Sequence, residues 1–345
     1  MMTYDLAVFI GRFEPFHLGH LATLNRALES ARHVAVLVGS AEAPRSAKNP
    51  WSYGEREVMI RAALGKQSDR VALRPIRDHL YNENAWIAEV QDQVASVAEA
   101  LGLGAEARIA LFGHSKDASS YYLKAFPQWD LSDVASVPLL SASELRRHLF
   151  SQDEGAFRLI EANVPAPVFE MIRAFRKTAG YAQALDEFQH IEKYRAAWAN
   201  APYPPTFVTA DAVVVHSGHV LLVRRKAQPG KGLWALPGGF VDGGETVRDA
   251  AIRELREETR LKIPAPVLRG SLRGEKVFDH PDRSLRGRTI THAFYFDFPT
   301  GELPSVRGGD DAARARWFPV AQTRDMRAAL FEDHYFILEH FLGMV

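Results

Sequence analysis

The stretch Gly11-Arg12-Phe13-Glu14-Pro15-Phe16-His17-Leu18-Gly19-His20 decides how this chain is read. It follows an apolar run at 6–10 and opens a segment, 18–31, whose apolar residues recur at helical spacing. A strand that turns through Gly-Arg-Phe into a helix is the opening of a βαβ unit. On an ideal helix His17 and His20 lie within about 60° of each other, on one stripe with Leu21, Leu24 and Leu28. Both imidazoles are therefore expected on the sheet side, at the carboxyl edge, where open α/β sheets bind ligands. A helix N-terminus there offers N–H groups and positive potential to a phosphate. A histidine pair in the first turn after Gly-Arg-Phe argues against two buried core histidines. The run G-x-x-x-x-G-K-[ST] is absent, so phosphate chemistry needs another cradle.

Outward from this stretch, strand and helix signals alternate. Strands are expected at 33–38, 70–76 and 108–112, and helices at 55–64 and 86–101, with further helices from Ser143 to about Lys177. That alternation predicts a parallel sheet in residues 1–180. Residues 181–205 begin polar and helix-prone and end in Ala-Pro-Tyr-Pro-Pro-Thr, which cannot continue a helix. They are expected to form a linker to a second domain, 206–345. That domain opens with β-rich runs at 207–215 and 219–225 around a glycine-containing turn, the signal of a hairpin. A strong helix at 246–259, a strand at 289–298 and a last helix from about Arg324 complete an α+β pattern with a mixed sheet.

Composition bounds the function. The 345 residues are 47% hydrophobic and 24% charged, with 42 basic and 42 acidic side chains. Two ordinary globular domains are expected, with no electrostatic footprint for nucleic acid. Cysteine is absent, which excludes disulfides, thiolate metal sites and a cysteine nucleophile. No apolar run approaches a membrane span and the N-terminal residues carry no signal-peptide pattern, so a cytoplasmic location is expected. Association of copies is left open.

The second constellation is Gly239, Glu245 and Arg253-Glu254-Leu255-Arg256-Glu257-Glu258. Counted from Val247 at 0°, Glu254, Glu257 and Glu258 fall at about 340°, 280° and 20°, while Ala250, Ala251 and Leu255 fall at about 300°, 40° and 80°. The three carboxylates thus share the apolar stripe. Buried unpaired charge is costly, and a divalent cation with a taste for oxygen ligands is the simplest compensation.

Both constellations resemble known families. Gly11–His20 is similar to the H-x-G-H signature of the nucleotidylyltransferase superfamily, and its longer form to nicotinamide mononucleotide (NMN) adenylyltransferases. Ser141-Ala142-Ser143-Glu144-Leu145-Arg146 resembles that family's S-x-T-x-x-R motif, with Ser143 in place of threonine and expected to cap the helix. Lys48-Asn49-Pro50-Trp51 with Glu55-Arg56, the segment 113–117 and the segment 121–129 also look like this family. The resemblance covers roughly residues 4–175 and implies a Rossmann-like fold and adenylyl transfer from ATP to NMN. It implies that His17, His20 and Arg146 act on the phosphates, with Gly11, Arg12, Phe13 and Ser143 at the substrate. Asp78, Tyr81, Asn82, Trp86 and Trp129 are candidates for NMN, because a flat cation suits an aromatic face.

The pattern G-x5-E-x7-R-E-L-x-E-E resembles the Nudix box, preceded by Leu236-Pro237-Gly238-Gly239, and this likeness covers about 206–345. It implies a Nudix fold, Mg²⁺ or Mn²⁺ held by Glu254, Glu257 and Glu258, and Arg253 orienting Glu257. Glu245 either joins the site or holds its loop. Asp310, Asp311 and Glu275 are candidates for the general base. Arg260 stands where the box has glycine, and a left-handed conformation there costs about 1 kcal/mol. The text around Asp279-His280-Pro281-Asp282-Arg283 and Arg286-Gly287-Arg288 resembles ADP-ribose pyrophosphatases, which makes Arg283 and Arg288 candidate substrate contacts. The whole chain is thus expected to be a bifunctional NAD-metabolism enzyme acting on ATP, NMN and ADP-ribose. The competing readings are another adenylyl- or cytidylyltransferase in the first half and a non-catalytic ADP-ribose sensor in the second.

Overall fold

The computed structural model describes residues 2–113, 122–134 and 139–343. Of the segments singled out above, 114–117 and Tyr121 lie outside the described residues. The chain divides into two compact units, Met1–Leu185 and Asp186–Val345. The division falls inside a helix, Ala179–Ala197, rather than in the proline-rich stretch that follows it. Among the described residues no helix is long and apolar enough to cross a membrane.

The first unit runs β1 (Tyr4–Gly11), α1 (Leu18–Ser30), β2 (Ala31–Val38), α2 (Tyr53–Leu64), β3 (Val71–Pro75), α3 (Glu83–Ala100), β4 (Ile109–Gly113), β5 (Asp130–Asp133), α4 (Ala142–Phe150), α5 (Glu154–Glu161) and α6 (Ala166–Phe175), and α7 (Ala179–Ala197) begins in it. Its sheet has the order β3-β2-β1-β4-β5, all parallel. Alternation along β1 explains its two buried faces. Leu6, Val8 and Ile10 pack with Val90, Val94 and Val97 of α3. On the other face Phe9 meets Phe13 and His20, with ring centroids 5.3 and 6.3 Å away. The strand order reverses at β1, so the crevice outside the carboxyl ends of β1 and β4 is the switch point where such sheets bind ligands. β5 was not expected. Asp130-Leu131-Ser132-Asp133 has no apolar run, and its place is set by backbone pairing with β4.

The second unit runs β6 (Thr206–His216), β7 (His219–Arg225), β8 (Trp234–Ala235), β9 (Gly238–Phe240), α8 (Val247–Thr259), α9 (Ala265–Gly270), β10 (Leu272–Phe278), β11 (Arg288–Phe298), β12 (Ala312–Pro319), α10 (Val320–Thr323) and α11 (His334–Leu342). The sheet is mixed: β10-β11-β6-β7-β12, with β6 and β11 parallel, β8 on β7 and β9 on β6. The expected hairpin forms, with Ser217 and Gly218 both at positive φ (48° and 70°), as a two-residue turn requires. Ala210, Ala212 and Val214 pack on Ala250, Ala251 and Leu255, small residues that let α8 lie close to the sheet. The last helix starts at His334, ten residues later than the sequence suggested. The intervening Leu330 and Phe331 bond to β8 instead, with Phe331 N–H donating to the Trp234 carbonyl at 2.8 Å.

Candidate active sites

The first site is built where β1 turns into α1. His17 is not in the helix but is its N-cap, with extended backbone. Its Nδ1 accepts from Gly19 N–H at 3.1 Å, and its own N–H donates to His20 Nδ1 at 3.3 Å. The two side chains replace the usual serine–glutamate pair of a capping box. The rings stack, with centroids 3.6 Å apart and planes at 27°. Phe13 and Phe16 pack against His20 at 4.9 and 5.7 Å. Because each Nδ1 accepts a backbone N–H, the proton of each neutral ring sits on Nε2.

Three arginines surround this turn. Arg146 of α4 is buried and donates to the Glu14 carbonyl at 2.6 Å and to Ser143 Oγ at 3.1 Å. Burial lowers it to about 10, and the like charge of Arg12 adds to that. The helix cap belongs to Ser141, not to Ser143 as expected. Ser141 carries a capping box with Glu144 three residues on, which leaves Ser143 Oγ one turn before Arg146 and able to hold its guanidinium. Sequence reasoning also missed the hub of the site, Arg56. Only 1% exposed, it donates to the carbonyls of Arg12 (2.6 Å), Gly39 (2.7 Å) and Ser40 (3.1 Å), and its Nε lies 3.2 Å from Glu14 Oε1. It ties the carboxyl ends of β1 and β2 together. Its signal was the Glu55-Arg56 pair, four residues past the cap Ser52, but nothing local says where such a side chain points. Burial pushes Glu14 up to about 8 despite Arg56.

Of the NMN candidates, Trp86 and Trp129 are brought to one wall through Phe126, at 5.9 Å from Trp86 and stacked at 4.7 Å on Trp129. Asp78 is bonded to Ser40 Oγ at 3.0 Å, at the end of β2. Asn82 caps α3, with Oδ1 accepting from Ala85 N–H at 3.1 Å, so its side chain has a local structural partner.

The second site lies on α8 and on the strand before it. Arg253 is its centre: 2.7 Å from Glu245, 2.8 Å from Glu254, 3.1 Å from Glu257, and 3.2 Å from the Phe240 carbonyl. Glu245 holds the loop, since it also accepts from Asp242 N–H at 3.0 Å. Glu258 is buried and accepts from Gly238 N–H at 3.0 Å; burial pushes it up to about 8, and Glu254 and Asp211 act in the same direction. The three carboxylates are not equally buried as the helical angles implied. Glu257 sits at the margin, its side chain 44% exposed. The backbone of Gly239 lies close against Glu254: a Cβ there would fall 2.4 Å from Glu254 Oε1. The loop between β11 and β12 supplies partners for the C-terminal end of α8: Arg307 and Gly309 N–H groups donate to the carbonyls of Thr259 and Glu258 at 2.9 Å. Arg260 does adopt the left-handed conformation, at φ 55° and ψ 24°.

Among the described residues no three His, Asp or Glu side chains converge tightly enough to form a ready cation site. Arg253 draws Glu254 and Glu257 to itself, and Glu258 turns to Gly238. The donor set nevertheless suits a divalent ion: hard carboxylate oxygens beside the glycine backbone of β9. Asp310 lies near enough to raise Glu254 further, after burial. Glu275 instead pairs on the surface with Arg248 at 3.2 Å. The two candidate arginines are both occupied. Arg283 makes a buried two-pronged pair with Asp333 (2.9 and 2.8 Å), and Arg288 bonds Asp279. Beside Asp333, buried His334 accepts from Leu236 N–H at 2.9 Å, two residues before Gly238.

Comparison with known proteins agrees with both halves. A cytidylyltransferase-like family profile matches residues 8–99 and a NUDIX domain profile matches 205–341. A nicotinamide/nicotinic acid mononucleotide adenylyltransferase of Acinetobacter baylyi is 35% identical over 57% of this chain and 96% of its own length. An ADP-ribose pyrophosphatase of Methanocaldococcus jannaschii is 38% identical over 41% of this chain and 74% of its own. A crystal structure of a bifunctional NMN adenylyltransferase/ADP ribose pyrophosphatase from Francisella tularensis, complexed with AMP and a manganese ion, is 35% identical with a TM-score of 0.91 and covers 99% of both chains. With a histidine-capped turn in one half and a Nudix helix in the other, this chain belongs to that family of bifunctional NMN adenylyltransferase/ADP-ribose pyrophosphatases.

Proposed function

We propose that the first unit joins NMN to ATP, giving NAD and pyrophosphate, and that the second hydrolyses ADP-ribose to AMP and ribose 5-phosphate. The carrying observation is the His17–His20 pair, capped by the backbone and stacked over the turn that Arg146 and Arg56 hold. A phosphate oxygen of NMN attacks the α-phosphorus of ATP, and the bond to the leaving pyrophosphate breaks. Developing charge on phosphoryl oxygens needs donors fixed in advance. The Nε2–H groups of His17 and His20, the N-terminus of α1, and the guanidinium groups of Arg12 and Arg146 are assigned that task. Gly11 and Phe13 shape the turn: a Cβ on Gly11 would fall 2.9 Å from the Phe13 ring. Trp86 and Trp129 are assigned to the nicotinamide side, with Asp78 at the strand end.

In the second unit Glu254, Glu257 and Glu258 would hold a divalent cation, Mg²⁺ or Mn²⁺, which supplies an activated water and charge neutralisation when bound. Arg253 orients Glu254 and Glu257 and anchors the loop through Glu245. Asp310, whose charge acts on Glu254, is assigned as the general-base candidate. The test is chromatography of products after the protein meets ADP-ribose and Mg²⁺. AMP that appears with wild type and not with Glu257→Gln supports the reading; intact ADP-ribose refutes the hydrolase half.

A further inference from the structure

Beside the carboxylates, the second unit carries an aromatic step that neither the cation site nor the core accounts for. Phe240 directly follows Gly239, whose backbone packs on Glu254, and its own carbonyl accepts from Arg253. The backbone of Phe240 is therefore part of the carboxylate site. Alternation along β9 sends its side chain to the sheet face opposite α8, next to Phe207 of β6, with ring centroids 6.0 Å apart. Phe207 is met edge-on by Tyr194 and Trp198, each 5.4 Å away. Phe240 remains 38% exposed. The guanidinium of Arg286 lies 5.3 Å from its ring centre and 3.6 Å from Glu332. The next residue, Gly287, has φ 150° and would bring a Cβ within 3.2 Å of Phe207, so the 286–288 loop is pressed onto the step.

We propose that Phe240, backed by Phe207 and flanked by Arg286, is the stacking surface for the purine base of the hydrolysed nucleotide, which places the diphosphate over the α8 carboxylates. An exposed aromatic ring set against a second, buttressed ring loses little entropy when a flat base covers it. A guanidinium beside the ring adds a planar, cationic partner suited to a base or to the nearest phosphate. This assigns to Arg286, rather than to Arg283 or Arg288, the role of the substrate-facing arginine. The inference rests on the ADP-ribose reading of this site and sharpens it.

The experiment compares ADP-ribose hydrolysis by the full chain with that of Phe240→Ala, Phe240→Leu and Phe240→Tyr. Stacking predicts that KM rises about tenfold in the alanine and leucine variants and returns to near wild type with tyrosine. Inhibition by added AMP should weaken in step, while inhibition by ribose 5-phosphate stays as in wild type. Rescue by leucine as good as by tyrosine would make the ring mere apolar packing and overturn the proposal. Equal weakening of both inhibitors would overturn it as well. If wild type leaves ADP-ribose intact, the activity reading fails separately. Calorimetric titration of ADP-ribose with Mn²⁺ into wild type and Phe240→Ala then decides the stacking surface, and equal affinities refute it.

Discussion

The two sites meet phosphate oxygen with opposite charge. In the first unit the turn after β1 is ringed by Arg12, Arg56 and Arg146, and its histidines are locked by backbone N–H groups before any substrate arrives. In the second, Glu254, Glu257 and Glu258 share one helix, with Asp211 and Asp310 close by, and Arg253 is the internal cation that quiets them. A cationic site can be assembled by folding alone, because its charges are answered by carbonyls and one buried glutamate. A carboxylate site left by folding is a set of mutually repelling groups that turn toward whatever donor is near. The first is held by bonds within the fold; the carboxylates of the second are held by Arg253 and by the Gly238 N–H.

The largest test of this contrast is to disable each site in turn. His20→Ala should lower NAD synthesis roughly a thousandfold, the upper range for loss of a preorganised donor, and leave hydrolysis intact. Glu257→Gln should do the reverse. Assays of both activities on each variant check this, and matched losses would break the two-site picture. Next in size is the buried pair of the second unit. Arg283→Ala leaves Asp333 buried and unpaired, which costs about 3–5 kcal/mol, whereas Arg288→Ala on the surface should change stability by less than about 0.5 kcal/mol. Denaturant melts of the second unit's signal compare them, and equal effects would return Arg283 to the list of substrate contacts.

A finer probe is Glu14. Its ordinary value of 4.5 is pushed up to about 8 by burial, so the folded unit holds a proton that the unfolded chain has released. The folded state binds more protons between those values, and stability should fall as pH rises from about 4.5 to 8. Glu14→Gln should remove that slope, which thermal melts across the range would reveal; an identical slope in both proteins would refute it. The smallest effect is expected at Arg260. Glycine there relieves a left-handed conformation at no loss of carboxylates, and Arg260→Gly should raise stability by about 1 kcal/mol. A lower melting midpoint would show that the arginine side chain over Gly309 contributes more than its backbone costs.

What could be read in the sequence was whatever is local. The βαβ alternation, the hairpin at Ser217-Gly218 and the limits of α8 follow from periodicity and turn chemistry within a dozen residues. Arg253 was legible because helix spacing sets Glu257 one turn on, whereas Gly239, on β9, was legible only through the Nudix-box resemblance. The misread arginines share one cause, which is that long side chains choose partners far along the chain. Arg56 reaches a carbonyl 44 residues away, and Arg283 finds Asp333 fifty residues on. Neither partner leaves a mark near the arginine. The cap of α4 went to Ser141 because two serines flank one alanine, and only the capping glutamate three residues on, Glu144, separates them. β5 has no pattern of its own to read, since an edge strand needs only backbone to pair.

The histidine cap has a consequence for acid. His17 and His20 close a helix end, and the role proposed for them as donors to a reacting phosphate would use the same tautomer. A second proton on either ring would land on the nitrogen that now receives a backbone N–H. It would turn an acceptor into a donor and open the first turn of α1. The Nudix helix, capped by a threonine hydroxyl, has no such ring at its entry turn.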